Sequence, residues 1–192
     1  MTTKTALRQQ LRQQRRARSA PDRNTARAAI RGHVLAHIDT LTLPAGSTVA
    51  GYEPLATEPG SVELLDALAN RDLTVLVPIT LADKDLAWRH YRSEQALPPS
   101  AIQQAALILL PALAVDRAGN RLGRGGGSYD RALRRASPTA LTAALLFADE
   151  LLASVPTEQW DQPVQAVVTP DGWLDLPLRV PPEAGGDGDA AG

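Results

Sequence analysis

Two rhythms of apolar positions alternate along the chain, one repeating every three to four residues and one made of short continuous runs, and their order predicts helices and strands in turn. Near the start, Leu7 and Leu11 stand four residues apart, which predicts a helix capped by Thr2 or Thr3 that carries Lys4, Arg8 and Arg12. With only two leucines to anchor it, this helix is expected to dock lightly and to present Lys4 and Arg8 to a ligand. Pro21 suits the first turn of a second helix, whose apolar stripe is Ala26, Ala29, Ile30, Val34 and Ile38. Thr48 to Tyr52 reads as a short buried strand, followed by a loop from Glu53 to Gly60. Ser61 then caps a helix that turns Val62, Leu65, Leu68 and Ala69 to the core, and Thr74 to Pro78 returns as a strand. In Leu86 to Tyr91 the side chains alternate, with Leu86, Trp88 and His90 on one face and Trp88 read as core.

The densest apolar run, Leu107 to Asp116, has strand length and leads to a glycine-rich turn, Arg121 to Gly127. That turn opens into Ser128 to Arg135, a segment suited to the first turns of a helix. Thr139 to Phe147 and Gln165 to Thr169 are further strands, with a helical turn at Asp149 to Leu152 between them and the turn Pro170-Asp171-Gly172 at the end. Strands alternating with helices imply an α/β protein, a single-domain three-layer α/β/α sandwich with a largely parallel sheet over residues 1–180. From Pro181 the sequence is proline, glycine, alanine and acid, so residues 181–192 are expected to form a disordered acidic tail. There is no internal repeat.

Composition narrows the chemistry. At 192 residues the chain can bury a core without staples, and with no cysteine it has neither disulfides nor thiol chemistry. His33 and His37 lie one helical turn apart but lack a third ligand, and they are read as helix-surface residues. No apolar run reaches membrane-spanning length and no signal-peptide core is present, so a soluble, cytoplasmic, monomeric enzyme without membrane contact is expected. The formal net charge of -1 hides a basic amino terminus, where nine lysines and arginines over residues 1–31 face the single acid Asp22. Such an end attracts polyanions, and a nucleoside triphosphate, a polyglutamate tail or RNA would each satisfy it.

The stretch from Arg121 to Arg131 is the strongest candidate for chemistry. Its glycines allow close backbone approach and positive φ, the amides at a helix start point outward, and the helix dipole favours an anion there. Arg121 and Arg124 add guanidinium groups suited to phosphate, and Asp130 adds a carboxylate suited to magnesium. No Lys-Ser or Lys-Thr pair follows the glycines, and Ser128 stands where a third spaced glycine would fall, so the loop is neither of the two common nucleotide fingerprints. An exposed turn between strand and helix is the competing reading.

Three segments together, Lys4-Thr5-Ala6-Leu7-Arg8, Pro54-Leu55-Ala56-Thr57-Glu58 and Asp116 to Arg131, resemble the 5-formyltetrahydrofolate cyclo-ligase family, in that family's order and over nearly the whole chain to Trp173. The resemblance implies ATP- and Mg2+-dependent closure of 5-formyltetrahydrofolate to 5,10-methenyltetrahydrofolate, with release of ADP and phosphate after phosphorylation of the formyl oxygen. By matching position it implies ATP contacts at Lys4, Thr5, Ala6, Leu7 and Arg8, and at Arg121, Leu122, Gly123, Arg124, Gly125, Gly126, Gly127, Ser128 and Tyr129. It further implies catalytic roles for Arg124 and Tyr129, folate contacts at Glu53, Glu58 and Ser128, and a magnesium ligand at Asp130. Small-molecule folate and ATP are then the partners, and nucleic acid is not expected. The chain departs from the family pattern at Ser128, where a tyrosine is usual, at Glu53, where an apolar residue is frequent, and at Gln165, where a second metal-associated acid is expected and for which Asp161 is a nearby substitute. Two other readings stand beside this one: a non-catalytic or RNA-associated relative, and a different nucleotide-dependent α/β enzyme.

Overall fold

A computed structural model describes residues 3–177, so the expected boundary at residue 180 and the expected acidic tail lie outside the described residues. In chain order the elements are α1 (Lys4–Ala17), α2 (Ala20–Thr40), β1 (Thr48–Ala50), α3 (Val62–Ala69), β2 (Thr74–Thr80), β3 (Leu86–His90), β4 (Ala96–Leu97), β5 (Ala105–Pro111), β6 (Ala114–Asp116), β7 (Arg121–Leu122), α4 (Ser128–Arg135), β8 (Leu141–Leu145), β9 (Leu151–Leu152), β10 (Ala166–Thr169) and β11 (Gly172–Asp175). Short 3-10 turns occupy Pro99–Gln104 and Ala148–Glu150. Hydroxyl caps set the helix starts, at Thr3 and Ser61 as the sequence suggests and at Ser19 ahead of Pro21, and each accepts a hydrogen bond from an amide in the first turn.

The large sheet has the order β11-β10-β8-β5-β1-β2-β3-β4. Its middle strands, from β10 through β2, run parallel, and the edges are closed by antiparallel pairs. Helices on both faces bury it. The alternation along β2 and β5 separates the two cores: Val75, Val77, Leu107 and Leu109 pack with Ile30, Val34 and Leu65 on the α2 and α3 side, while Leu76, Ile108 and Leu110 pack with Trp88, Ile102 and Ala132 on the other. The three-layer expectation and the core placement of Trp88 are therefore met. In α3, however, Leu64 is buried and Val62 is 48% exposed, the reverse of the expected choice at those two positions.

One predicted strand divides. The run from Leu107 to Asp116 belongs to two sheets, because Pro111 has no N–H to continue the ladder and the chain turns after it. Leu113 N then donates to Leu122 O at 2.7 Å and starts a small sheet of order β7-β6-β9. The expected helical turn over Asp149 to Leu152 is a 3-10 turn followed by β9 for the same reason, since Leu151 and Leu152 pair with β6. This small sheet carries α1 on a cluster of Leu11, Leu113, Ala114, Leu122 and Val155.

The first helix is held more firmly than two leucines suggest. Arg15, buried and one turn beyond Leu11, donates to both oxygens of Glu150 at 2.6 and 2.7 Å and to Ala112 O at 2.5 Å, while Glu150 also accepts from Phe147 N. Burial pushes the Glu150 carboxyl above its ordinary range, against the pull of Arg15. Desolvation offsets much of such a pair's attraction, but removing one member strands the other. Glu150→Gln is accordingly expected to lower stability by about 3 kcal/mol, or roughly 6–12 °C in Tm. Replacing both members by apolar side chains of similar volume should restore most of the loss in thermal melts, and a single variant that melts like the parent would contradict the assignment.

Candidate active site

Between β1 and β5 the connections depart in opposite directions, and ligands of open α/β sheets bind in the crevice beyond such a point. A cavity of about 340 Å³ opens there, within the usual size of small-molecule sites. Tyr52, Glu53, Leu55 and Glu58 line one wall, Pro78, Thr80 and Leu86 the floor, and Lys4, Arg8, Arg121 and the segment Gly123 to Asp130 the opposite wall. A strap formed by Glu158, Trp160 and Asp161 closes the side near Lys4.

The glycine loop has the geometry that an anion site needs. Gly125 has φ +104 and Gly127, the N-cap of α4, has φ +67, both in the left-handed region. No side chain caps α4, so its leading amides are left to a ligand or to water. From α1, Arg8 Nε donates to Gly123 O at 2.9 Å and Arg12 Nη2 to Arg124 O at 2.7 Å, so the first helix braces the loop from behind.

Two charged groups are placed otherwise than as open phosphate grips. Arg121 is buried and its Nη2 lies 2.5 Å from Asp130 Oδ1, so it orients Asp130 instead of projecting as a free fork. Lys4 Nζ lies 2.6 Å from Asp161 Oδ2 and 3.0 Å from Glu158 Oε2. Asp130 Oδ1 also accepts from Gln162 N at 3.1 Å. Among the described residues, one oxygen of Asp130 and one of Asp161 thus remain without a protein donor.

On the facing wall Glu58 is only 5% exposed. Its Oε2 accepts from Leu55 N at 2.9 Å, and Arg124, itself mostly exposed, reaches across to 3.7 Å from Oε1. Arg27 of α2 holds this loop through bonds to Leu55 O, Ala56 O and Glu58 O. Tyr129 buries a hydroxyl that has no protein partner, the buried Tyr52 hydroxyl lies against the Gly60 backbone, and burial, then the nearby Glu58 carboxylate, raises the pKa of both. Both phenols stay protonated at neutral pH and are available as donors. Glu53 Oε2 is ion-paired with Arg89 Nη2 at 2.7 Å.

The structure therefore gathers Lys4, Arg8, Glu53, Glu58, Arg121, Gly123, Arg124, Gly125, Gly126, Gly127, Ser128, Tyr129 and Asp130 about one cavity. Thr5 and Ala6 are exposed on α1 and do not line it. Leu7 packs toward the small-sheet core and Leu122 is buried within it, so both act through packing. Gln165 is not at the site. It precedes β10 at the amino-terminal edge of the sheet, where its side-chain oxygen accepts from Thr142 N at 2.8 Å, whereas Asp161, with Glu158, reaches the cavity. Asp116 is structural as well, holding Ala118 N, Asn120 and Val155 N. His33 lies 3.1 Å from Pro170 O and His37 stacks on Trp173, and no group of three or more metal-binding side chains occurs among the described residues. The basic amino terminus is largely spent within the protein, since Arg12, Arg15, Arg18, Arg23 and Arg27 all donate to protein oxygens. No helix among the described residues is long and apolar enough to cross a membrane.

A family model described as the 5-formyltetrahydrofolate cyclo-ligase family matches residues 1–170. The chain belongs to that family, a family of ligases. A protein of Mycolicibacterium smegmatis named 5-formyltetrahydrofolate cyclo-ligase is 41% identical over 144 residues, which is 65% of this chain and 74% of that one. The fold is that of a 5,10-methenyltetrahydrofolate synthetase from Mycoplasma pneumoniae (TM-score 0.77, 22% identity, 88% of this chain and 99% of the other). It is likewise that of the same-named protein of Aquifex aeolicus (TM-score 0.70, 21% identity, 97% of this chain and 100% of the other).

Proposed function

We propose that this cyclo-ligase closes 5-formyltetrahydrofolate to 5,10-methenyltetrahydrofolate at the expense of ATP, with the triphosphate on the glycine loop and the pterin on Glu58. The observation that carries the reading is the pairing of a buried carboxylate with an open, glycine-started helix across one cavity, bridged by Arg124. A carboxylate accepts paired hydrogen bonds from the pterin's amino and amide N–H groups, while the loop amides and Arg8 suit phosphate oxygens. Magnesium fits the residues present: Asp130 and Asp161 line the same cavity, each keeps one carboxylate oxygen without a protein donor, and these two would hold the ion. When bound, the ion offsets phosphate charge.

In the reaction, the formyl oxygen attacks the γ-phosphorus and ADP leaves. The anilino nitrogen then attacks the formyl carbon, loses its proton, and inorganic phosphate departs with the former formyl oxygen. The protein's part is to align the two substrates, exclude water and stabilise charge, which requires no side-chain nucleophile. In this reading Arg124, which reaches from the glycine loop to 3.7 Å from Glu58, accompanies the transferred phosphoryl group. Tyr129 offers a protonated hydroxyl on the same wall.

Mixing the protein with 5-formyltetrahydrofolate, ATP and magnesium should produce the near-ultraviolet absorbance of the methenyl product. Substrate labelled with heavy oxygen in the formyl group should pass the label to inorganic phosphate. ATP hydrolysis without methenyl product, or label recovered only in water, would contradict the proposal.

A further inference from the structure

Among the described large apolar side chains, Trp160 is the only aromatic that is strongly exposed, at 50%, whereas Trp88 is fully buried. It is not a scattered surface ring, because it lines the cavity beside the glycine loop. Its backbone is fixed. Trp160 O accepts from Arg134 Nη2 at 3.0 Å and from Gln162 Nε2 at 3.3 Å. The neighbouring acids Glu158 and Asp161 both clasp Lys4, and Asp161 Oδ2 accepts from Glu158 N at 2.7 Å. The strap is thus tied to α1 and, through Gln162 N, to Asp130, all on the phosphate wall, while the Glu58 loop is tied separately to α2.

We infer that the indole of Trp160 is the stacking platform for the base of the bound nucleotide. The inference rests on the proposed function and adds a subsite to it. Arg8 and the loop amides suit the phosphates but offer nothing to a flat, uncharged heterocycle. A large planar ring held at the open end of the same wall supplies that contact, and it leaves the pterin to Glu58 and Tyr52. Stacking of this kind tolerates any base and favours the larger purines.

Calorimetric titration of the full chain with ATP and magnesium, with tripolyphosphate and magnesium, and with 5-formyltetrahydrofolate tests this directly. Trp160→Leu should raise the Kd for ATP roughly tenfold, Trp160→Phe should recover most of that loss, and neither should change the Kd for tripolyphosphate, which has no base. A leucine variant that binds ATP like the parent overturns the inference, as does one whose loss falls on the folate or equally on tripolyphosphate. If the unaltered protein binds no ATP, the proposed function itself fails, an outcome distinct from ATP binding that ignores Trp160.

Discussion

Asp130→Asn should lower turnover by about two to three orders of magnitude while the protein stays folded. The aspartate is the partner of Arg121, whose guanidinium is buried and lies 2.5 Å away, and its second oxygen is open toward the cavity. Asparagine keeps an oxygen for Arg121, so the pair weakens without leaving the cation wholly unsatisfied. What is lost is the negative charge at the site proposed for magnesium. The magnesium concentration for half-maximal activity should therefore rise, the Kd for 5-formyltetrahydrofolate should stay near that of the parent, and Tm should fall by only a few degrees. A variant with parental kinetics across a magnesium titration would remove Asp130 from the reaction.

The second large effect is expected at the other wall. Glu58→Gln should raise the KM for 5-formyltetrahydrofolate roughly 10- to 100-fold, the range for charge-assisted hydrogen bonds to a buried carboxylate. The Kd for ATP should be nearly unchanged. Glutamine is isosteric and retains an oxygen for Leu55 N, so the loop held by Arg27 keeps its shape. The two walls thereby separate in kinetics: one variant weakens metal-dependent turnover and the other weakens folate. A Glu58→Gln variant that fails instead in ATP binding would show that Arg124, relieved of its partner, matters more than the carboxylate.

The fold was legible in the sequence wherever periodicity and capping agreed. Thr3 and Ser61 cap helices as read, and the central apolar runs became parallel strands with the glycine turn opening α4. Local pattern failed where a distant pairing decided the outcome. Leu107 to Asp116 reads as one strand, and only the pairing of β6 with β7 and β9 shows that Pro111 ends the first sheet. Arg15 carried a signal, since it extends the stripe of Leu7 and Leu11 by one turn, but its buried partner is 135 residues away. Arg27, Glu158 and Trp160 had no comparable signal: Arg27 acts from α2 on a loop remote in sequence, and Glu158 and Trp160 lie on a strap whose course is set by tertiary contacts. The second acid of the proposed magnesium site was expected at Gln165, with Asp161 noted as a substitute. The strap before β10, not the strand, reaches the cavity, and spacing along the sequence does not reveal which of the two turns inward.

A crystal structure with a non-hydrolysable ATP analogue, magnesium and 5-formyltetrahydrofolate bound together is the most direct measurement. The terminal phosphate should lie against the amides of Gly125 to Asp130, with the metal on Asp130 and Asp161 and the pterin on Glu58. A glycine loop free of phosphate while both ligands occupy other surfaces would contradict the account.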